Sequence, residues 1–231
     1  MSAPEPTTPP GPPPGADPGG VLTDRSWYRW HAPYDEIGSA QTDRLDAVQE
    51  LIAEALDAAP PGPLKAVSVC AGQARDLLPM LITHPRGRDV AARMIELEPL
   101  NASFLHGALG STDLEHVEVL VADAGLTDAY VGAVPADLVL ISGPFAHIGR
   151  TDTLRTIRML PRLCAPHAAV IWSTHGQALT DLSLVLDAFT TAGFTGASRT
   201  PDANAFAAGT HRLTVPPPAF TPGARMFTFP E

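Results

Sequence analysis

Short apolar runs alternate with helical stretches from residue 64 onward, and this alternation constrains the fold more than any other feature. The runs that predict β-strands are 65–70, 92–97, 116–121, 136–141 and 168–173. The stretches that predict helices are 75–83, 99–108, 125–132, 151–163 and 180–192. The strand runs are apolar throughout rather than at every second residue, as in strands buried on both faces. The sequence therefore predicts an α/β protein, with a parallel sheet between two layers of helices.

The end of the chain departs from this pattern. Residues 203–214 (ANAFAAGTHRLT) and 224–229 (ARMFTF) are predicted to form two strands, joined by the loop PPPAFTPG. No helical stretch separates these two runs, so they do not form another parallel unit. We expect the sheet to close with an antiparallel edge.

The first sixty residues have three different characters. Residues 1–20 are rich in proline and glycine and are predicted to be a disordered tail. Aromatic residues crowd into 27–34, and an amphipathic helix follows, capped by Ser39 or Thr42 and ended by the PPGP at 60–63. We expect one domain over residues 21–231, with an N-terminal lid and helix over 21–60 and a sheet core over 64–231.

Composition excludes several classes of function. The formal net charge is −10 and no cluster of lysine and arginine occurs, which argues against a nucleic-acid partner. No apolar run of about 18 residues and no secretory signal occurs, so we expect a cytoplasmic protein without a membrane span. The two cysteines, Cys70 and Cys164, lack a metal-ligand spacing and are expected to be buried free thiols, with no metal bound. The sequence carries no signal for an oligomeric state.

The loop in VSVCAGQARDLL (67–78) follows the first predicted strand. Ligands of open parallel sheets bind at the carboxyl ends of the strands, and the first strand usually borders that place. The small residues Cys70, Ala71, Gly72 and Ala74 would let backbone approach a ligand, and Gly72 alone supplies a positive φ at low cost. The alternative interpretation is an ordinary turn from a strand into a helix.

The next three predicted strands also end in small or acidic residues. Glu96 stands near the end of the second strand, where an acid can bind ribose hydroxyls, and Glu98 is the fallback candidate. Asp123 stands at the end of the third strand, and Ser142 with Gly143 at the end of the fourth. The alternative interpretation of Glu96 is a surface carboxylate, but four such strand ends in succession favour a nucleotide site.

These segments together resemble a known family. AVSVCAGQARDLL, MIELEP, VLVADA, ADLVLISG and LCAPHAAVIW resemble, in order and spacing, the successive motifs of class I S-adenosylmethionine-dependent methyltransferases. The resemblance runs from Trp27 to the C-terminus and is best to an actinobacterial-type group with a VCAGxGRDLL loop. It implies a Rossmann-like, doubly wound sheet of seven strands in the order 3-2-1-4-5-7-6, with strand 7 antiparallel. It also implies methyl transfer from S-adenosylmethionine, with S-adenosylhomocysteine as the product.

The resemblance also implies roles for particular residues. Glu96 would hold the ribose hydroxyls, Asp123 and Ala124 would border the adenine, and Ser142 and Gly143 would lie under the sulfonium. The loop would approach the methionine part of the cofactor through Cys70, Ala71, Gly72, Gln73 and Arg75.

The chain departs from the family pattern in the same loop. The family has an acid where Ser68 stands and glycines where Cys70 and Ala74 stand. Before the fifth strand, His167 and Ala168 replace glycines of the family's L-x-P-G-G turn. We expect the changes at Ser68 and Ala74 to alter one contact to the cofactor's amino group and the width of the loop.

Methyl transfer needs a general base only when the acceptor must lose a proton. The candidates are His147 after the fourth strand, His175 after the fifth, and His31 and Tyr34 in the aromatic segment. The alternatives are hydrogen-bonded loop histidines and aromatic residues that only pack on the sheet. His211 is expected to be structural.

The leading hypothesis is an S-adenosylmethionine-dependent methyltransferase that acts on a small molecule, since the chain is short and acidic. The first alternative is a non-catalytic module that binds the same cofactor in a degenerate site. A nicotinamide-dependent oxidoreductase ranks last because only Gly72 of a G-x-G-x-x-G loop is present. A hydrolase lacks support because no G-x-S-x-G motif occurs.

Overall fold

Seven strands form one mixed sheet in the computed structural model, which describes residues 27–36, 38–200 and 206–230. The strands are β1 (Leu64–Val69), β2 (Val90–Glu96), β3 (Val117–Val121), β4 (Ala136–Ser142), β5 (Cys164–His175), β6 (Phe194–Arg199) and β7 (Phe206–Leu213). The predicted tail over 1–20 and the beginning of the expected lid, residues 21–26, lie outside the described residues.

The order of the strands is β3-β2-β1-β4-β5-β7-β6. Strands β1 to β5 pair in parallel, whereas β7 runs antiparallel to both β5 and β6. The α/β class, the seven-stranded order and the antiparallel strand 7 are therefore confirmed. The order reverses between β1 and β4, which is where open α/β sheets bind ligands.

Six α-helices accompany the sheet in the described residues: α1 (Trp27–Trp30), α2 (Ala40–Asp57), α3 (Leu77–Thr83), α4 (Pro99–Leu109), α5 (Arg150–Met159) and α6 (Leu182–Thr191). Ser39, one of the two predicted caps, begins α2: its Oγ accepts a hydrogen bond of 3.2 Å from the Thr42 backbone N–H. No helix of the described ranges has the length and apolar character needed to cross a membrane.

Two apolar cores cover the two faces of the sheet. Because side chains alternate along a strand, Val67 and Val69 of β1 enter one core and Ala66 enters the other. The first core includes Phe189 of α6, and the second includes Leu51 of α2. This double coverage explains why the central strands are apolar at consecutive positions.

The predicted strand at 224–229 is wrong. The segment forms no strand, and its β-pairing in the described residues is one isolated bridge between Arg225 and Leu126. Its backbone is bound by α5 instead: Arg155 donates to the Met226 carbonyl at 2.8 Å, and Asp152 accepts from the Thr228 N–H at 2.8 Å. The segment has the apolar residues typical of a strand because Met226 and Phe227 are buried in the core.

The second antiparallel partner of β7, beside β5, is β6, which the sequence analysis missed. The six residues of β6 are mostly polar or small, and most are exposed at the edge of the sheet. An edge strand needs few apolar residues, so periodicity carries little signal there.

The predicted helix over 125–132 is also wrong in extent, since only a 3₁₀ turn forms, at Thr127–Tyr130.

Candidate functional site

The carboxyl ends of β1, β2, β3 and β4 open into a cavity of about 360 Å³ that the N-terminal segment 27–35 covers. This volume is within the usual range of small-molecule sites. Twelve of the fourteen residues predicted for the site line it: His31, Tyr34, Cys70, Ala71, Gly72, Arg75, Glu96, Asp123, Ala124, Ser142, Gly143 and His147. Gln73 and His175 do not.

The β1 loop keeps the backbone of a glycine loop without its glycines. Cys70, Gly72 and Ala74 all have positive φ, at 53°, 58° and 46°. Gly72 has the positive φ that a glycine adopts at low cost, and two non-glycine residues of the loop adopt it as well. At two of these positions, Cys70 and Ala74, the resembled family has glycine. Here both residues adopt the left-handed region although they carry side chains. His167, within β5, also has a positive φ, of 65°.

Glu96 is buried at the end of β2 and faces the β1 loop. Its Oε2 accepts a hydrogen bond of 2.7 Å from the Gly72 N–H, and its Oε1 accepts one of 2.8 Å from the Glu98 N–H. Burial raises the pKa of the Glu96 carboxyl, and these two bonds oppose that rise. The carboxylate is therefore held in place at the rim of the loop, and is not the surface group of the alternative interpretation.

Asp123 joins the end of β3 to the C-terminal segment. Its Oδ1 accepts from the Gly125 N–H at 2.8 Å, and its Oδ2 accepts from Arg225 Nη1 at 2.9 Å. The neighbouring Ala124 is buried, and its carbonyl accepts a 2.7 Å hydrogen bond from the Tyr130 hydroxyl. The C-terminal residues Arg225, Thr228, Phe229 and Pro230 thus complete a wall of the cavity. No sequence motif indicated this wall, because it forms only by long-range packing.

Small side chains form the floor at β4. Ser142 Oγ lies 3.0 Å from Ser173 Oγ on the neighbouring β5. Gly143 has φ 107°, a conformation that disfavours any side chain. Both residues line the cavity, so the side chains at this strand end are small.

The aromatic segment forms α1 and a 3₁₀ turn, Ala32–Asp35, over the β1 loop. His31 Nδ1 lies 2.8 Å from the Trp27 carbonyl, so in the neutral ring this nitrogen carries the proton. Burial lowers the pKa of His31. An ion pair of 2.7 Å between Asp35 and Arg75 fastens the segment to the loop.

His147 and His175 lie side by side, with ring centroids 5.4 Å apart. His147 lines the cavity and packs edge-on against Trp27 and Trp30, at 5.0 and 5.4 Å. His175 lies behind it, and burial, with Arg44 and His147 nearby, lowers its pKa to about 4. His175 is therefore neutral near pH 7 and a weak base, whereas His147 is placed to contact a ligand.

Two other predicted residues are engaged by protein groups. Gln73 is buried, and its Oε1 accepts a 2.8 Å hydrogen bond from Arg75 Nε. Gln73 therefore positions Arg75 rather than lining the cavity. The Arg75 guanidinium also lies 5.8 Å from the ring centre of Tyr34, within the range of a cation–π contact.

Sequence reasoning missed Arg44 and Asp76, two charged residues that line the cavity near the β1 loop. Arg44 is 3% exposed, and its guanidinium donates to the Tyr34 hydroxyl and, at 3.4 Å, to Ser173 Oγ. A signal for Arg44 existed in the sequence: it precedes Val48, Leu51 and Ile52 at helical spacing, so it is a charge on the apolar face of α2. Asp76 begins α3, and its Oδ1 accepts from the Leu77 N–H at 2.7 Å.

No protein family model and no curated protein sequence matches the chain. Solved structures do match. A carbon methyltransferase, CurJ, superposes with a TM-score of 0.64 at 12% identity over 81% of this chain. An O-methyltransferase family protein from Burkholderia thailandensis gives 0.58 at 15% identity over 85% of this chain. The chain spans 58% of the length of each of these two proteins.

The chain has the class I methyltransferase fold. A possible exported protein from Bordetella parapertussis shares this architecture with a TM-score of 0.63, at 16% identity over 87% of this chain and 76% of that one. At these identities the likeness shows the methyltransferase fold alone.

Proposed function

We propose that the protein is an S-adenosylmethionine-dependent methyltransferase with a small-molecule acceptor. One observation carries the proposal: a methyltransferase-type sheet brings a positive-φ loop, a fixed buried carboxylate and an open β4 end to one cavity. These are the features that a nucleoside with a short charged side chain requires. The residues present fit the cofactor, since an acid faces the loop and the nearest atom to the position of a Gly143 Cβ is Arg44 Nη1, at 3.5 Å.

Different residues of the cavity would contact different parts of the cofactor. Glu96 would accept hydrogen bonds from the ribose hydroxyls, in place of the Gly72 and Glu98 N–H groups or beside them. Asp123 and Ala124 would border the adenine. The loop from Cys70 to Arg75 would pass along the methionine part, with Gln73 acting through Arg75, and Ser142 and Gly143 would leave room beneath the sulfur.

A second cavity supports a small acceptor. It has a volume of about 550 Å³ and shares His147 and Pro230 with the first cavity. Its two charged residues, Arg150 and Asp181, pair with each other at 2.5 and 3.0 Å, so the lining offers no unpaired charge. Thr174 Oγ1 is buried there without a hydrogen-bond partner among the described residues. A largely apolar acceptor with one polar group would satisfy this hydroxyl.

The chain's contribution to the reaction is placement and the exclusion of water. The cofactor supplies an activated methyl group when bound, so the protein need not activate it further. Trp27, Trp30 and Phe229 would cover the reacting atoms, and the shared wall at His147 would place the acceptor in line. For an acceptor that must lose a proton, His147 is our preferred base, with His31, Tyr34 and His175 as weaker candidates. Tyr34 already accepts from Arg44, and burial raises its pKa.

Calorimetric titration with S-adenosylmethionine and S-adenosylhomocysteine tests the cofactor. At about 100 μM protein, a concentration that reveals weak binding, we expect both to bind. If neither does, the proposed function is wrong. Transfer of label from methyl-labelled cofactor to a metabolite library then tests catalysis.

The base has its own test. We expect His147→Ala to lower kcat by about 100-fold with little change in affinity for S-adenosylhomocysteine. His106→Ala, which removes an exposed histidine from α4, is the matched control. Equal loss in both variants would contradict the assignment.

The second candidate function is a non-catalytic module that binds the cofactor. The non-glycine residues Cys70 and Ala74 in left-handed conformations favour it, because such residues are strained there. Cofactor binding without label transfer to any library member would support this candidate. A nicotinamide-dependent oxidoreductase has no comparable observation in its favour.

A further inference from the structure

Arg44 is a buried cation at the edge of the first cavity. Its two hydrogen-bond partners, Tyr34 and Ser173, are neutral hydroxyls. No carboxylate of the described residues lies within 4 Å of its guanidinium. A buried charge is unfavourable unless an opposite charge accompanies it. The protein therefore presents a positive charge to this cavity that its own carboxylates do not neutralise at contact distance.

Asp76 is the negative counterpart on the same cavity. It lies near enough to Arg44 to feel its charge, yet the two form no ion pair within 4 Å. The Asp76 carboxylate accepts a hydrogen bond from the Leu77 N–H, and the nearby Ser142 hydroxyl opposes the rise in its pKa. Burial raises its pKa, which shows that the protein groups around it do not fully offset its desolvation.

The two charges bracket the place where the β1 loop meets β4. Asp76 directly follows the loop, and the Ser142 hydroxyl at the end of β4 lies near enough to lower the pKa of its carboxyl. The Arg44 Nη1 lies 3.5 Å from where a Cβ of Gly143 would be. A cation and an anion held apart at one cavity match a zwitterion, in which an ammonium and a carboxylate share one carbon.

We propose that Arg44 and Asp76 together bind the α-amino acid end of the cofactor, Arg44 its carboxylate and Asp76 its ammonium. This inference rests on the proposed function. It assigns the amino acid end to Arg44 of α2 and to Asp76, which directly follows the β1 loop. Ser68 stands where the resembled family has an acid. Tyr34 gives the site a link to the lid, since its hydroxyl accepts from the Arg44 guanidinium.

Binding measurements with two ligands test this inference separately from the proposed function. S-adenosylhomocysteine carries the amino acid end, whereas 5′-methylthioadenosine has the same nucleoside and thioether without it. We expect Arg44→Met and Asp76→Asn each to weaken S-adenosylhomocysteine binding by about tenfold or more, as for lost charge-assisted bonds. Binding of 5′-methylthioadenosine should change by less than about twofold. Arg44→Lys, which keeps the charge, should retain part of the affinity.

Arg88→Met is the matched control, because Arg88 is exposed and pairs with Asp113 far from the cavity. Binding of 5′-methylthioadenosine also reports that each variant is folded, and Asp76→Asn carries the test if Arg44→Met does not fold. Unchanged affinity for S-adenosylhomocysteine, or an equal loss for both ligands, overturns the inference. A wild-type protein that binds neither ligand overturns the proposed function as well.

An amino acid acceptor is the other source of a zwitterion. In that case the variants would bind S-adenosylhomocysteine like wild type and would lose binding of free amino acids added to the cofactor complex. That result contradicts the assignment to the cofactor.

Discussion

The imidazole of His31 lies directly against the α-carbon of Gly72. A Cβ built on Gly72 would come within 2.4 Å of His31 Nε2, closer than real contacts allow. On its other side, the Gly72 N–H donates to Glu96. One residue without a side chain therefore connects the N-terminal lid to the carboxylate that we assign to the ribose.

Gly72→Ala is expected to displace His31 and to weaken S-adenosylhomocysteine binding by about tenfold or more. The methyl group meets the imidazole, and φ 58° costs a non-glycine residue about 1–2 kcal/mol. Calorimetry and chemical denaturation measure the two effects. In a double-mutant cycle with His31→Ala, the affinity penalty of Gly72→Ala should shrink, and strict additivity would show that the contact with His31 is unimportant.

Ala74→Gly should leave the free energy of unfolding within about 1 kcal/mol of wild type. Relief of the left-handed conformation, worth about 1 kcal/mol, offsets loss of a buried methyl group, worth about 0.8 kcal/mol. Ala55→Gly in the middle of α2 is the control, and it should destabilise by more, because no strain is relieved there. Equal losses, measured by urea denaturation, would contradict the role of strain.

Glu96→Gln should weaken both S-adenosylhomocysteine and 5′-methylthioadenosine by about 10- to 100-fold. Both ligands contain the ribose, and a bond to a charged acceptor is worth about 1.5–3 kcal/mol. Substitutions of Arg44 and Asp76, in contrast, should weaken the binding of S-adenosylhomocysteine only. Glu98→Gln serves as the control because Glu98 caps α4. A larger effect from Glu98→Gln would move the ribose assignment to that residue.

His211 should make the protein less stable as the pH falls from about 6.5 to about 4. Burial lowers the pKa of His211 to about 4, and its Nδ1 accepts a 3.0 Å hydrogen bond from Trp172 Nε1. Protonation at Nδ1 removes that acceptor. Because the pKa is lower in the folded state, the unfolded chain binds more protons in this window, and stability is complete only above about pH 6.5.

His211→Phe isolates this contribution. The ring of His211 stacks on Phe189 with centroids 4.3 Å apart, which phenylalanine can reproduce. The variant should be less stable at pH 7.5, because Trp172 loses its acceptor. The difference from wild type should narrow by about 2 kcal/mol by pH 5. Denaturant titrations at both pH values measure it, and a constant difference would contradict the lowered pKa.

Much of the site could be predicted because each strand end is a local feature. Glu96 and Ser142 end strands whose apolar runs are evident in the sequence, and Asp123 follows such a strand by two residues. Parallel strands bring their ends to one edge. Arg44 could not be placed this way, since its distance of 129 residues from Ser173 along the chain hides their contact. His175 was predicted at the ligand edge and lies there, but behind the ring of His147.

By itself, the sequence determined the elements whose patterns are local: the parallel strands, the helices between them and the loop after β1. The tertiary structure decided what depends on contacts between distant segments. The backbone of Met226 bonds to α5 rather than to a strand, and Cys70 and Ala74 are held at positive φ by their surroundings. Such conformations are locally unfavourable and persist only because the packed fold fixes them, so local propensity could not predict them.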